Sequence, residues 1–232
     1  VTTWVKGEVT NQGTEDDPFI LTFPNLENSM TANVPYEKVW EDRDGHEITE
    51  DYLGADLTVT FQAQVREVGT TEWQNPEDYF PSALGQERYN QMFKEGAEVF
   101  KGEITGTING TWNRQFTNLP AAIIKAEHWG QLTSEIQTMN GDQAPNVEDI
   151  LTELEYRVVE TSVTIAYADG TTKTFTIEIN NSGEAGSDPY ADNRLPGLDG
   201  LLTNIVFDAS GNKTTNTLDL TSLTIKKVWV DN

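Results

Sequence analysis

Leu57-Thr-Val-Thr-Phe-Gln-Ala-Gln-Val65 alternates apolar and polar residues with period two. Successive side chains of a strand point to opposite faces, so this stretch reads as a half-buried β-strand. Outward from it the same signal recurs. Residues 104–116 read as a hairpin turning at Asn109-Gly110, and residues 163–179 as another turning at Asp169-Gly170. Residues 154–159, 201–207, 214–218 and 223–230 read as further short strands. Many short strands separated by turn residues predict an all-β sandwich or barrel.

Two segments break the pattern. Residues 82–101 place Leu84, Met92, Phe93, Ala97 and Phe100 near one helical face, with Ser82 as the N-cap. Asn118-Leu-Pro120, followed by Ala-Ala-Ile-Ile-Lys, reads as a helix start with Pro near the first position, the helix running to about Met139. Residues 181–200 carry no clear period and read as a long loop.

Composition narrows the function. The 232 residues include 38 acidic and 15 basic side chains, a formal charge of −23. Such a chain repels phosphate backbones and anionic lipid, which disfavours nucleic-acid and membrane-surface binding. The apolar runs are too short to cross a bilayer, so no membrane insertion is expected. Cysteine is absent, so added covalent stability would need a different crosslink. No signal peptide opens the sequence.

An internal echo carries the organisation. Tyr36-Glu-Lys-Val-Trp-Glu-Asp42 recurs as Ile225-Lys-Lys-Val-Trp-Val-Asp231, displaced by 227 − 38 = 189 residues. A repeated opening strand at the end of the chain reads as an excerpt from a tandem array.

In order, these strands resemble the B-type repeat of collagen-binding adhesins (Cna B-type), also found in Gram-positive pilins. Lys38-Val-Trp40 is similar to that family's first strand. Gly110-Thr-Trp-Asn-Arg-Gln-Phe-Thr-Asn-Leu-Pro120 resembles its Trp…Phe-Thr-Asn-Leu-Pro signature. Glu155-Tyr-Arg-Val-Val-Glu-Thr161 resembles its E-box, and Thr214-Thr-Asn-Thr217 its terminal Ile-Thr-Asn-Thr strand. The family's unit is usually shorter, and its Pro-x-Gly-Tyr after Glu-Thr is missing here.

The resemblance implies a Greek-key, Ig-like/prealbumin-like β-sandwich with helical insertions over residues 35–219. The insertions fall at about 66–103, 121–150 and 181–210. Residues 1–34 would be an extension or the tail of a preceding module, with Val9-Thr-Asn11 a terminal strand. Residues 220–232 would be a linker and the opening strand of the next module. It implies no turnover enzyme but one self-crosslinking event: Lys38 as nucleophile, Asn216 as electrophile and Glu160 as acid/base. Asn180, Asn181 and Asn204 compete for the place of Asn216. Burial disfavours an ammonium and favours a protonated carboxyl, so a dry pocket activates both partners, and contact between amine and amide supplies a large effective molarity. The implied function is a stalk module of an extracellular, cell-wall-anchored adhesin or pilus, with neighbouring modules of the same polypeptide as its partners. The alternatives are a module recognising host glycan or protein through the insertions, and a non-catalytic sandwich appended to a secreted carbohydrate-active enzyme.

Other chemistry ranks lower. His46 and His128 have no Ser or Cys motif beside them and read as surface residues. Asp188, Asp192 and Asp199 could hold calcium through hard oxygen ligands but lack EF-hand spacing; no other cofactor is expected. Trp73 and Trp129, on the insertions, are the candidates for a sugar-stacking platform, whereas Trp40 and Trp112 belong to strands and the core.

Overall fold

The computed structural model describes residues 8–10, 20–22, 31–50, 55–94, 96–109, 111–130, 150–179, 202–208 and 212–218. Among the described residues eleven strands run in chain order: β1 Glu8–Thr10, β2 Ile20–Thr22, β3 Thr31–Glu41, β4 Asp56–Glu67, β5 Lys101–Gly106, β6 Thr111–Pro120, β7 Ala122–Ile124, β8 Leu151–Ala166, β9 Thr172–Thr176, β10 Leu202–Asp208 and β11 Lys213–Leu218. Two helices, α1 Pro76–Leu84 and α2 Gln86–Met92, lie between β4 and β5. The chain is mostly β, as its alternation predicts.

One sheet has the order β10-β11-β3-β6 and the other β5-β4-β8-β7, with β9 also on β8; β1 and β2 pair separately. The two larger sheets share one apolar core, in which Tyr36 of β3 meets Phe61 of β4 with ring centroids 4.6 Å apart. The alternation of Leu57, Val59, Phe61, Ala63 and Val65 puts all five inside. Within the first sheet β11 runs parallel to β3, with Thr214 opposite Lys38 and Asn216 opposite Trp40. Parallel neighbours need a long crossover, and here the whole second sheet lies between them in sequence.

Several expectations change. Residues 104–116 do not form a hairpin: β5 pairs with β4, while β6 pairs with β3 in the other sheet. The corner is held by Ile108, fully buried in the core, and by the Trp112 indole donating to the Asn109 carbonyl at 3.3 Å. Gly106 permits this, because a Cβ there would stand 3.1 Å from the Trp112 ring. The hairpin at Asp169-Gly170 does form, with Gly170 at φ 84° and the Asp169 carboxylate accepting from the Thr171 amide. The separate strands expected at 154–159 and from 163 are one continuous strand, β8.

The helical segment begins earlier than expected. Asn75-Pro76 opens α1 with Glu77 and Asp78 in its first turn, so Ser82 lies inside the helix and is not a cap. Gly85, at φ 81°, divides α1 from α2. Leu84 and Phe100 are buried and Phe93 packs on the core, but Met92 is exposed. Asn118-Leu-Pro120 ends a strand and starts no helix: β6 runs through Pro120 and β7 follows. The residues from 131 to Met139 lie outside the described ones.

Strands run across several of the expected boundaries. The first core strand begins at Thr31, where it pairs with Pro120, four residues before the expected start at 35. The 66–103 insertion narrows to the chain between Glu67 and Lys101, because β4 and β5 occupy its ends. The expected 181–210 insertion contains β10, a strand of the first sheet. Of the 121–150 insertion, residues 121–130 are described and include β7 and a short 3-10 turn at Ala126–His128. The Val9 strand forms as β1 against β2. The second copy of the repeat, the strand expected at 223–230, and Asp188, Asp192 and Asp199 lie outside the described residues.

Candidate functional site

Strand periodicity sends Tyr36, Lys38 and Trp40 to one face of β3, and that face is the core. Lys38 and Trp40 are both 0% exposed. On the parallel neighbour, Thr214 and Asn216 share the corresponding face and are equally enclosed. Backbone register thus buries a lysine and an asparagine on neighbouring strands, Lys38 opposite Thr214 and Asn216 opposite Trp40.

Glu160 comes from the opposite sheet, and a β-bulge aims it. In β4·β8, Thr60 faces Ser162 but Phe61 faces Glu160, so Thr161 is the extra residue. The bulge lets both Glu160 and Val163, three positions apart, point into the core; without it their parity would send one outward. The Thr161 hydroxyl is held to the Thr60 carbonyl at 3.2 Å.

Lys38, Glu160 and Thr214 converge between the sheets. Lys38 Nζ lies 3.4 Å from Glu160 Oε1, both side chains fully buried. The same nitrogen stands 3.8 Å from the centroid of the Trp40 ring and donates to the Val39 carbonyl at 3.1 Å. Thr214 Oγ1 donates to Glu160 Oε1 at 2.8 Å. Among the described residues, the enclosed Asn216 amide has no hydrogen-bond partner for either Nδ2 or Oδ1. Leaving a buried polar group unmatched costs about 1–3 kcal/mol.

Burial dominates the electrostatics. It pulls the Lys38 ammonium down from its ordinary 10.5 to about 8, against the opposing charge and hydrogen bond of Glu160 and the charge of Glu41. An amine so placed reaches its neutral, nucleophilic form within reach of physiological pH. The site therefore holds a deprotonatable amine, a carboxyl in contact with it, and an amide on the neighbouring strand.

Of the expected residues, Lys38 and Glu160 are in contact, and Asn216 is buried on the strand beside β3. Of the competing asparagines, Asn204 lies in β10, separated from β3 by β11, and Asn180 and Asn181 lie outside the described residues. Two participants carried no expected role here. Trp40 floors the amine as well as filling core, and Thr214 contacts the carboxyl. The signal for Thr214 was available, since it stands two residues before Asn216 on the same strand face.

The remaining candidates resolve differently. Trp73 is no sugar platform: it is 7% exposed, with the Arg66 and Arg157 guanidinium groups 4.3 and 5.0 Å from its ring. Trp129 is half-buried, with Arg88 at 4.1 Å over its ring. His46 is exposed at a turn, where the Asp42 carboxylate accepts from the amides of Asp44 and His46. Asp42, Asp44 and His46 cluster within 4.8 Å, an arrangement those turn hydrogen bonds already explain. His128 is half-buried beside Glu127. Trp112, a strand residue, is only partly buried and packs edge-on against Trp40 at 5.7 Å, at the border of the core. No helix among the described residues is long and apolar enough to cross a membrane.

Comparison with protein-family models, with curated proteins and with solved structures finds no match for the chain.

Proposed function

We propose that this chain is a structural stalk module of a bacterial surface adhesin or pilus, stiffened by an isopeptide bond formed by its own residues Lys38 and Asn216. The observation that carries the reading is the fully buried Lys38–Glu160 contact between the sheets, with a buried Asn216 amide without hydrogen-bond partners on the strand beside Lys38. In this reading the fold is a Greek-key, Ig-like sandwich of the Cna B-type. The parallel contact of β3 with β11 and the passage of the chain between sheets at β5–β6 support it.

The reaction balances without a cofactor. A proton passes from the Lys38 ammonium to the Glu160 carboxylate, leaving a neutral amine. Nζ attacks Asn216 Cγ while the Glu160 acid polarises Oδ1. The Nζ–Cγ bond forms, Glu160 gives its proton to Nδ2, the Cγ–Nδ2 bond breaks, and ammonia leaves. A second Nζ proton returns to Glu160, so three protons on the amine become one on the amide, one on the acid and one on ammonia. Holding amine and amide in contact supplies an effective molarity on the order of 10⁵ M or more. The event happens once, so the chain is no turnover enzyme.

The proposed role is mechanical. Tension entering along β3 would cross at Lys38 to β11 and leave the unit, bypassing everything between. Neighbouring modules of the same polypeptide are the partners, and the setting is extracellular, cell-wall anchored through the parent protein.

Intact mass under denaturing conditions tests this directly. The expected deficit is about 17 Da, one ammonia per chain, absent in Lys38→Ala and Glu160→Ala. A full mass in the unaltered chain removes the bond. It would favour a second reading, a module that binds host glycan or protein. That reading has its own observation, a groove of about 420 Å³ where the two insertions meet, lined by Glu67, Gln74, Tyr79, Ser82, Lys125 and Glu127. A glycan array probed with the isolated chain checks it.

A further inference from the structure

The geometry points to Thr214 as a positioning residue for the crosslinking step, an inference that rests on the isopeptide reading and deepens it. Its side chain is 1% exposed, on the strand that carries Asn216 and directly opposite Lys38. Its hydroxyl donates to Glu160 Oε1 at 2.8 Å and lies 3.4 Å from the Glu37 carbonyl. Glu160 reaches this point from the other sheet, so the Thr214 contact ties the acid to the same strand as its target amide.

Chemistry follows from which oxygen is held. Oε1 meets two donors at once, the Thr214 hydroxyl at 2.8 Å and the Lys38 amine at 3.4 Å. Oε1 is also the oxygen that faces the amine, so the hydroxyl fixes the carboxyl at the point where the Lys38 proton is passed across. The hydroxyl also fixes the rotation of the carboxyl, so the proton-bearing oxygen keeps one direction while the bond forms. Thr214 touches neither Cγ nor Nδ2; it acts through Glu160. A group that sets orientation at this level commonly changes rate by tenfold or more when lost.

Valine and serine separate this role from packing. Thr214→Val keeps the shape and removes the donor, whereas Thr214→Ser keeps the donor and loses a methyl. Each chain is isolated in denaturant before it folds, refolded by dilution, quenched at intervals, and followed by intact mass for the loss of ammonia, with near-ultraviolet circular dichroism confirming the fold. The expected order is wild type close to Ser, and Val slower by about tenfold or more. If Val does not fold, Thr214→Ala takes its place, and Ser must then outpace Ala. A Val variant that reacts as fast as wild type overturns the inference while leaving the bond intact, and so does a Ser variant as slow as Val. A wild type that keeps its full mass removes the isopeptide reading, and this one with it.

Discussion

Replacing Asn216 with alanine separates the two states the site could occupy, because the expected sign of the effect differs between them. Without a bond, the variant removes a buried amide whose nitrogen and oxygen have no hydrogen-bond partner. Losing such a group is close to neutral or stabilising. With the proposed bond, the variant opens a loop of 216 − 38 = 178 residues. The chain-entropy relation used for disulfides puts that closure at about 5 kcal/mol. For a chain of this size each kcal/mol moves the melting temperature by roughly 2–4 °C, so Asn216→Ala should melt about 10–20 °C lower. The variant keeps the Lys38–Glu160 contact, so no charge is left without its counter-charge. Calorimetry on both chains, with intact masses measured on the same samples, is the assay. A wild type lacking one ammonia whose Asn216→Ala variant melts within a few degrees of it would refute the loop-entropy argument. A variant that melts as high as wild type, with full mass in both, would refute the bond.

Glu160→Ala should abolish the mass loss and cost about 3–5 kcal/mol beyond the lost link, because it leaves the buried Lys38 amine without its counter-charge; chemical denaturation against Asn216→Ala checks the difference. Asn216→Ala should grow more stable as pH rises from about 8 towards 10, because burial lowers the folded Lys38 to about 8 from 10.5. Over that window the unfolded chain binds the extra proton, so unfolding free energy rises with pH; below pH 8 both states carry it and the dependence vanishes. A Lys38→Met/Asn216→Ala double variant should lack that slope, which urea titrations at pH 7, 8, 9 and 10 can read. Trp73→Ala should cost about 3–5 kcal/mol by thermal unfolding, since a buried indole and its stacking on Arg66 and Arg157 are lost, yet leave the mass deficit unchanged.

The strands were legible where one face is buried and the other is wet. Leu57 to Val65 alternates because β4 has that environment, and Tyr36, Lys38 and Trp40 shared a face for the same reason. Pairing was less legible, because turn chemistry is local and sheet membership is not. Asn109-Gly110 has the composition of a hairpin turn, but Ile108 goes into the core and carries β6 to the other sheet. The bulge at Thr161 had no signal of its own; a period-two reading of 154–159 and another from 163 each held, and only the register with β4 joins them. Asn75-Pro76-Glu77-Asp78 has the composition of a helix start, ahead of the apolar stripe at Leu84, Met92 and Phe93. Trp73 was misplaced because two arginines cover it, and such cover comes from residues distant in sequence.

The pocket makes little sense as a device for stability alone. A lysine and a glutamate in a dry core cost several kcal/mol each to desolvate, and well-packed apolar residues of similar volume often serve as well or better. An adjacent amide without partners adds to that cost. The unreacted site therefore stores unfavourable free energy in three side chains at once. Conversion to an amide and ammonia would remove the ammonium and the unmatched primary amide together, leaving a neutral, hydrogen-bonding group beside the Glu160 acid. The features that make the pocket costly as a resting arrangement, burial of the amine first among them, are the ones that make it reactive. Under this argument a variant that relieves the burial, Trp40→Ala, should lose crosslinking even though Lys38, Glu160 and Asn216 all remain. The Lys38 nitrogen sits 3.8 Å from that ring, and water would enter where the indole stood. Intact mass after refolding reads the outcome, and full crosslinking in Trp40→Ala would show that proximity without dryness is enough.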